Sequence, residues 1–237
     1  MTADRWTRAV RHQLGFGRLL PLGDARDGAW IAEQAAKALL RRAARDAPGV
    51  RVDALRIALA DPAEVLEPAV PPPPSALPPG PLRVTAEFAA TASEPLPTTA
   101  SLLRATLATA ATQRIGLTVR EVDLRVTGLL DEESEPGPAV RLPEPPRAAP
   151  MEEGDEGRVA AIALGVPGVL HLTGAMGHPV HIEERPGGGA LPHRHVRVEL
   201  AVGADHRVRD VARAVRTAVR TSLSDHPTVA VLVSAIG

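Results

Sequence analysis

Ala47-Pro48-Gly49-Val50 and Val166-Pro167-Gly168-Val169 decide how this chain is read, and their prolines stand 119 residues apart. Each motif closes an alanine-rich helical stretch and opens a β-like run. Proline cannot carry a helix further and glycine takes the conformations that turn the chain, so the pair marks a helix end. After each motif come an alternating strand (Leu82 to Phe88; Val196 to Val202), an amphipathic helix and a last strand. One module is written twice.

Working outward, each module runs helix, strand, strand, helix, strand. The fold class expected is α+β, with two tandem modules, each a small three-stranded antiparallel sheet with helices on one face. A right-handed crossover is expected to return the third strand beside the first, in the order 2-1-3. The boundaries expected are a lead segment at 1–28 and a first module at 29–130 with a proline-rich insert at 61–81. A linker at 131–150 and a second module at 151–237 complete the chain. At 237 residues the chain has room for two cores of about 100 residues each.

In the first module Asp27 reads as a helix cap, and Ile31, Ala35, Ala38, Leu39 and Ala43 form the apolar stripe of the helix. Val50, Val52, Leu55, Ile57 and Leu59 suggest a strand whose alternation breaks at Asp53-Ala54, the mark of a bulge. Residues 62–81 hold nine prolines, which favour an extended, stiff and exposed connection between the first two strands. A ligand for a proline-reading groove is the other reading of that tract. The next helix is expected after Pro97, with Thr98 or Thr99 as cap, and Gly116 ends it. In the second module a helix over 158–165, a turn at Pro186 to Gly189, a helix at 208–223 and a strand at 229–236 are expected.

Composition narrows the chemistry. There is no cysteine, which excludes disulfides, thiolate metal sites and cysteine nucleophiles. Trp6, Phe16, Trp30 and Phe88 are the only aromatic residues, so stacking platforms for bases or sugars are scarce. Lys37 is the sole lysine, and the arginine, alanine, proline and glycine bias reads as GC-rich codon usage. Net charge is −1, yet residues 131–156 carry nine acidic residues against Arg141 and Arg147, a local −7. The N-terminus has no apolar signal-peptide core and no run is long enough to span a bilayer. The expected location is the cytoplasm.

The Pro-Gly-Val turns after alanine-rich helices, with Gly116-Leu117-x-Val119-x-x-Val122-x-Leu124-x-Val126, resemble the alkaline-shock-protein-like envelope stress family of Gram-positive bacteria. The second copy keeps Val-Pro-Gly-Val and the final β-run but lacks the Gly-Leu entry. The chain is also similar to actinobacterial proteins labelled after a nucleopolyhedrovirus family. Fibrous proteins of that kind rely on coiled coil, and no sustained heptad is visible here. The resemblance implies a non-enzymatic cytoplasmic protein, without cofactor, that meets the membrane through protein partners. A single module is usual there, so the tandem copy, the proline insert and the lead segment are departures.

Three constellations bear on chemistry. Arg209, Arg213, Arg216 and Arg220 form one stripe on the last helix, beside Val208, Val211, Val215 and Val219. The stripe is the candidate surface for a partner, an anion or a nucleic acid; the other reading is a solvated face. Trp6, Val10 and Leu14, with Arg5, Arg8 and Arg11 beside them, make the lead segment a second candidate contact. Seven of the eight histidines lie in the second module. His193 and His195 share a strand face, and a hairpin brings His181 near them. Three imidazoles can hold zinc, but H-E-x-x-H spacing is absent, so no metal is assigned. No G-x-S-x-G elbow, P-loop or dinucleotide fingerprint is present.

The expected function is a non-enzymatic scaffold of envelope stress type that binds protein partners, with self-association through open sheet edges. A nucleic-acid-binding protein using Arg209 to Arg220 is the first alternative. A histidine-metal hydrolase is the second.

Overall fold

The computed structural model describes residues 17–131, 148, 154–185 and 193–237. The expected module order is present in the first half and, with its first strand split in two, in the second. In the first half, helix α1 (Glu33–Ala44) leads through Pro48-Gly49 into β3 (Val50–Leu59), then β4 (Leu82–Thr91), α2 (Leu96–Thr109) and β5 (Val119–Leu130). In the second, α3 (Asp155–Leu164) leads through Pro167-Gly168 into β6 (Val169–Leu172) and β7 (Val180–Arg185). Strand β8 (His193–Val202), α4 (Val208–Ser222) and β9 (Thr228–Ile236) follow. Gly49 and Gly168 turn the chain at φ +66° and +92°, which explains why both motifs use glycine.

The strand pairing differs from the expectation. The first sheet has the order β3-β4-β5, with β3 antiparallel and β5 parallel to β4. The third strand therefore lies beside the second, and the sheet is mixed. Only Gly116 to Thr118 separate the end of the helical segment from β5. This short link delivers the chain beside β4, where Leu82 N donates to Thr118 O at 2.7 Å. The far edge of β3 is one strand spacing further, about 4.8 Å, and there Arg18 Nη2 donates to Ile57 O at 2.7 Å. The bulge expected at Asp53-Ala54 is present as a register shift between Val52 and Ala54.

The second sheet repeats the pattern and extends it. Strands β6 and β7 follow one another along the same edge of β8, both antiparallel to it, and β9 lies parallel on the other side. Two short strands, β1 (Leu19–Pro21) and β2 (Ala29–Ala32), then add to β9. Strand β2 runs parallel to β9 and β1 antiparallel to β2. Residues 29–32 are thus a strand where a helix start was expected. All four are buried, so both faces of β2 are covered. A short run that is apolar throughout cannot be told from a buried helix by periodicity.

Helix α1 buries Ala35, Ala36, Leu39, Leu40, Ala43 and Ala44. It packs on α2 and β3 and also touches β9. Pro97 sits in the first turn of α2, where its missing N–H costs nothing. The helix continues as a π-helical turn, Ala110–Ile115, and stops at Gly116 with φ +93°. Both halves contribute to one hydrophobic cluster, from Trp30, Leu40 and Phe88 to Val198, Val215 and Val233.

The proline tract lies between β3 and β4 as expected, but it is not exposed throughout. Val70 is buried and Leu77 packs on the core. Leu19 N donates to Ser75 O, Leu77 N to Leu19 O, and Trp30 Nε1 to Leu77 O at 3.3 Å. A polyproline backbone has no internal hydrogen bonds, and here its carbonyls and remaining N–H groups serve β1 and Trp30 instead.

Candidate interaction surface

Helix α4 turns Val208, Val211, Ala212, Val215 and Val219 into the core. Its arginine row runs beside that stripe and meets the protein's own hairpin loop, residues 22–28. Arg209 Nε donates to Asp27 Oδ2 at 3.1 Å, and Arg213 Nε donates to Asp27 Oδ1. Arg216 Nη1 donates to Arg26 O at 2.7 Å, and Arg220 is exposed. The Asp27 carboxylate is only 3% exposed and also accepts from Asp24 N. Its hydrogen bond raises the Arg213 guanidinium above the ordinary arginine range, whereas burial lowers that of Arg216.

The same loop is tied to the turn after α2. Gly23 N donates to Gly116 O at 3.0 Å, and Thr118 Oγ1 donates to Gly23 O at 3.1 Å. Arg207 Nη2 donates to Thr112 O and Arg114 Nη2 to Ala204 O. Three of the four arginines expected to meet a partner therefore join the two halves of the molecule. Asp27, read from sequence as a helix cap, is the anion on which Arg209 and Arg213 converge. Trp6, the other residue expected at a partner contact, lies outside the described residues, as do the expected turn at Pro186 to Gly189 and most of the acidic linker.

Strand pairing brings the three histidines onto one face. His195 stands opposite Glu183, His193 opposite Arg185 and His181 opposite Arg197. They do not converge as ligands. His195 is buried, and its Nδ1 is 2.8 Å from Thr228 Oγ1. Burial, reinforced by the Arg185 charge, pushes the His195 imidazole down to about 4. Glu183 is engaged by Arg185 at 2.6 Å, which lowers its carboxyl. Among the described residues no three His, Asp or Glu side chains are grouped as metal ligands.

Glu199 is a buried carboxylate that carried no sequence signal beyond its place in an apolar strand. It accepts from Thr173 Oγ1 and Ala175 N at 2.8 Å and from Met176 N at 2.9 Å. The loop joining β6 to β7 folds over it, which explains the split in that edge strand. Burial raises the Glu199 carboxyl against the pull of these donors.

One open edge among the described strands lies on the first sheet. In the second module the outer edge of β9 is filled by β2. Strand β5 is the corresponding last strand of the first module. It pairs with β4 on one side, and no described strand lies on the other. Its apolar row starts under cover at Val122 and emerges at Val126 and Leu129, which are 42% and 66% exposed. Leu102 on α2, the helix packed against β5, is 48% exposed. The opposite face carries ion pairs, Arg83 with Glu121 at 2.7 Å and Asp123 at 3.5 Å, and Arg125 with Glu87 at 3.9 Å. On the edge itself Arg104 Nε donates to Val122 O at 3.1 Å. A bulge at Thr127 ends the regular run, with Thr127 Oγ1 donating to Asp53 Oδ2.

No protein-family model matches the chain, and no curated protein matches it. Solved structures of MamM-CTD variants are similar over part of it. One double variant shows 14% identity over 40% of this chain and 92% of its own, with a TM-score of 0.27. A cadmium form shows 14% identity over 40% and 94%, again at 0.27. At that score the likeness carries neither fold nor function to this chain. No helix among the described residues is long and apolar enough to cross a membrane.

Proposed function

We propose that this protein works by non-covalent association, as a non-enzymatic scaffold of envelope stress type that holds protein partners at the inner face of the membrane. The observation that carries the reading is the open edge of β5 with Val126, Leu129 and Leu102 exposed beside it. An unpaired strand edge offers N–H and C=O groups to another chain. Clustered exposed apolar side chains mark contact sites in soluble proteins. The envelope-stress assignment rests on the Pro-Gly-Val turns and the Gly116-to-Val126 run.

The arginine stripe no longer serves as the first candidate surface, because Asp27 and the Arg26 carbonyl occupy Arg209, Arg213 and Arg216. Affinity capture from the native host tests the reading, with the intact chain beside a Val126→Glu/Leu129→Glu variant. Envelope or membrane proteins recovered by the intact chain and lost with the variant are expected. Equal recovery by both moves the contact off this edge. Nuclease-sensitive recovery of RNA or DNA replaces the scaffold reading with nucleic-acid binding.

A further inference from the structure

The geometry points to a second copy of this chain as an occupant of the β5 edge, paired antiparallel with β5 of the first about a two-fold axis through Leu124. The inference rests on the reading of β5 as a contact surface and names the partner. Three observations carry it. The corresponding edge in the second module already takes a strand, β2 on β9, so an edge in this position of the module accepts strand addition. The apolar row of β5 is left uncovered where it runs out at Val126 and Leu129. And the sequence of β5 is complementary to itself.

With Leu124 on the axis, Val122 stands opposite Val126 of the other copy, and Asp123 stands opposite Arg125. Valine and leucine then share the helix-covered face, and two ion pairs form on the other. Opposed residues on antiparallel strands lie on the same face and interact directly, so opposite charges there favour a register and like charges oppose it. Centring the axis on Asp123 sets two carboxylates against each other, and centring it on Arg125 sets two guanidinium groups against each other. A shift of half a step sets Asp123 against Leu124 and puts apolar and charged faces together. Only the Leu124 register, among these neighbours, satisfies both faces. The bulge at Thr127 limits regular pairing to the stretch before it. The Val122 carbonyl, now held by Arg104, is among the edge groups that such pairing engages. Two three-stranded sheets become one of six strands.

Sedimentation of the full chain across a concentration series tests this. The intact chain is expected to dimerise. Asp123→Arg and Arg125→Asp, each alone, place like charges opposite one another twice per dimer and weaken association about tenfold or more. An equimolar mixture of the two variants sets two arginines of one copy against two carboxylates of the other, and dimerisation returns. Arg104→Ala frees the edge and tightens it. The register has its own readout because the chain holds no cysteine. Leu124→Cys places two thiols opposite each other, with Cα atoms roughly 5.5 Å apart, within disulfide reach. Mild oxidation is expected to link that variant and leave Asp123→Cys unlinked. An intact chain that stays monomeric, or single charge variants that associate as the intact chain does, overturns the pairing. If host proteins are still captured through Val126 and Leu129 in that case, the scaffold reading stands without it. If the dimer forms and no host protein is captured, the pairing stands and the scaffold reading falls.

Discussion

Asp27 is the residue on which the two halves of the chain agree. It is a buried carboxylate reached by Arg209 and Arg213 from α4 and by the Asp24 N–H from its own loop. Removing one partner of such a group leaves the others desolvated and uncompensated. Asp27→Ala is expected to cost about 2–4 kcal/mol in urea unfolding, and Asp27→Asn less, because the amide keeps one acceptor. His195 sets a pH dependence. Its folded pKa, about 4, lies below the ordinary 6.5, so the fold favours the neutral imidazole. The stability this gives is present above pH 6.5 and is lost as pH falls through the folded value. Linkage puts the loss at about 3 kcal/mol. Glu199, whose carboxyl is raised, works in the opposite direction: its contribution is present at acidic pH and lost as pH rises through its folded value. Unfolding measured between pH 7 and 4 is expected to show a shallower acid limb for His195→Gln than for the intact chain. Equal limbs would place the titration elsewhere. Neither Asp27 nor Glu199 was legible as an interior anion, because a single acidic residue beside apolar ones looks the same in a turn, a cap or a core.

At the scale of elements, the two Pro-Gly-Val turns, the strand-strand-helix-strand order and the Asp53 bulge were readable. Each depends on local chemistry: a glycine at positive φ, a 3.6 or 2 period, a break in alternation. The choice of neighbour for β5 was not, because it depends on link length and on what occupies the far edge of β3. Strand β2 was hidden for another reason, its burial on both faces. Gly116 belongs to this scale, since it ends the helical segment and also lies under Arg209. A Cβ there would come 2.4 Å from Arg209 Cβ, and the residue's φ is +93°. Gly116→Ala therefore meets both a strained backbone and a clash with α4. It is expected to lower stability by roughly 2–4 kcal/mol, visible as a fall in thermal midpoint. Gly128, which has open space around it, is the control position, and Gly128→Ala is expected to change stability little.

At the scale of the molecule, duplication in sequence did not produce two independent bodies. The β1–β2 hairpin completes the sheet of the second module, and the arginine row of α4 clamps the loop inside that hairpin. Apolar residues of both halves form one cluster. Urea unfolding followed by tryptophan fluorescence and by far-ultraviolet circular dichroism is expected to give coincident single transitions. Two separated transitions would mean that the modules unfold apart. The second module expressed alone, from residue 151, lacks the strands that cover β9 and is expected to be less stable and prone to associate through that edge.

The pairing of Ile31 with Val233 has a consequence in time. Strand β2 is made about 200 residues before the strand it lies against, which at roughly 5–20 residues per second is a wait of about 10–40 s on the ribosome. Through that interval Trp30 and Ile31 have no sheet to enter. A contact so distant in sequence closes late and slowly. The nascent first half therefore depends on whatever shields an apolar hairpin during synthesis, and a chain cut short before β9 keeps that hairpin without its native neighbour.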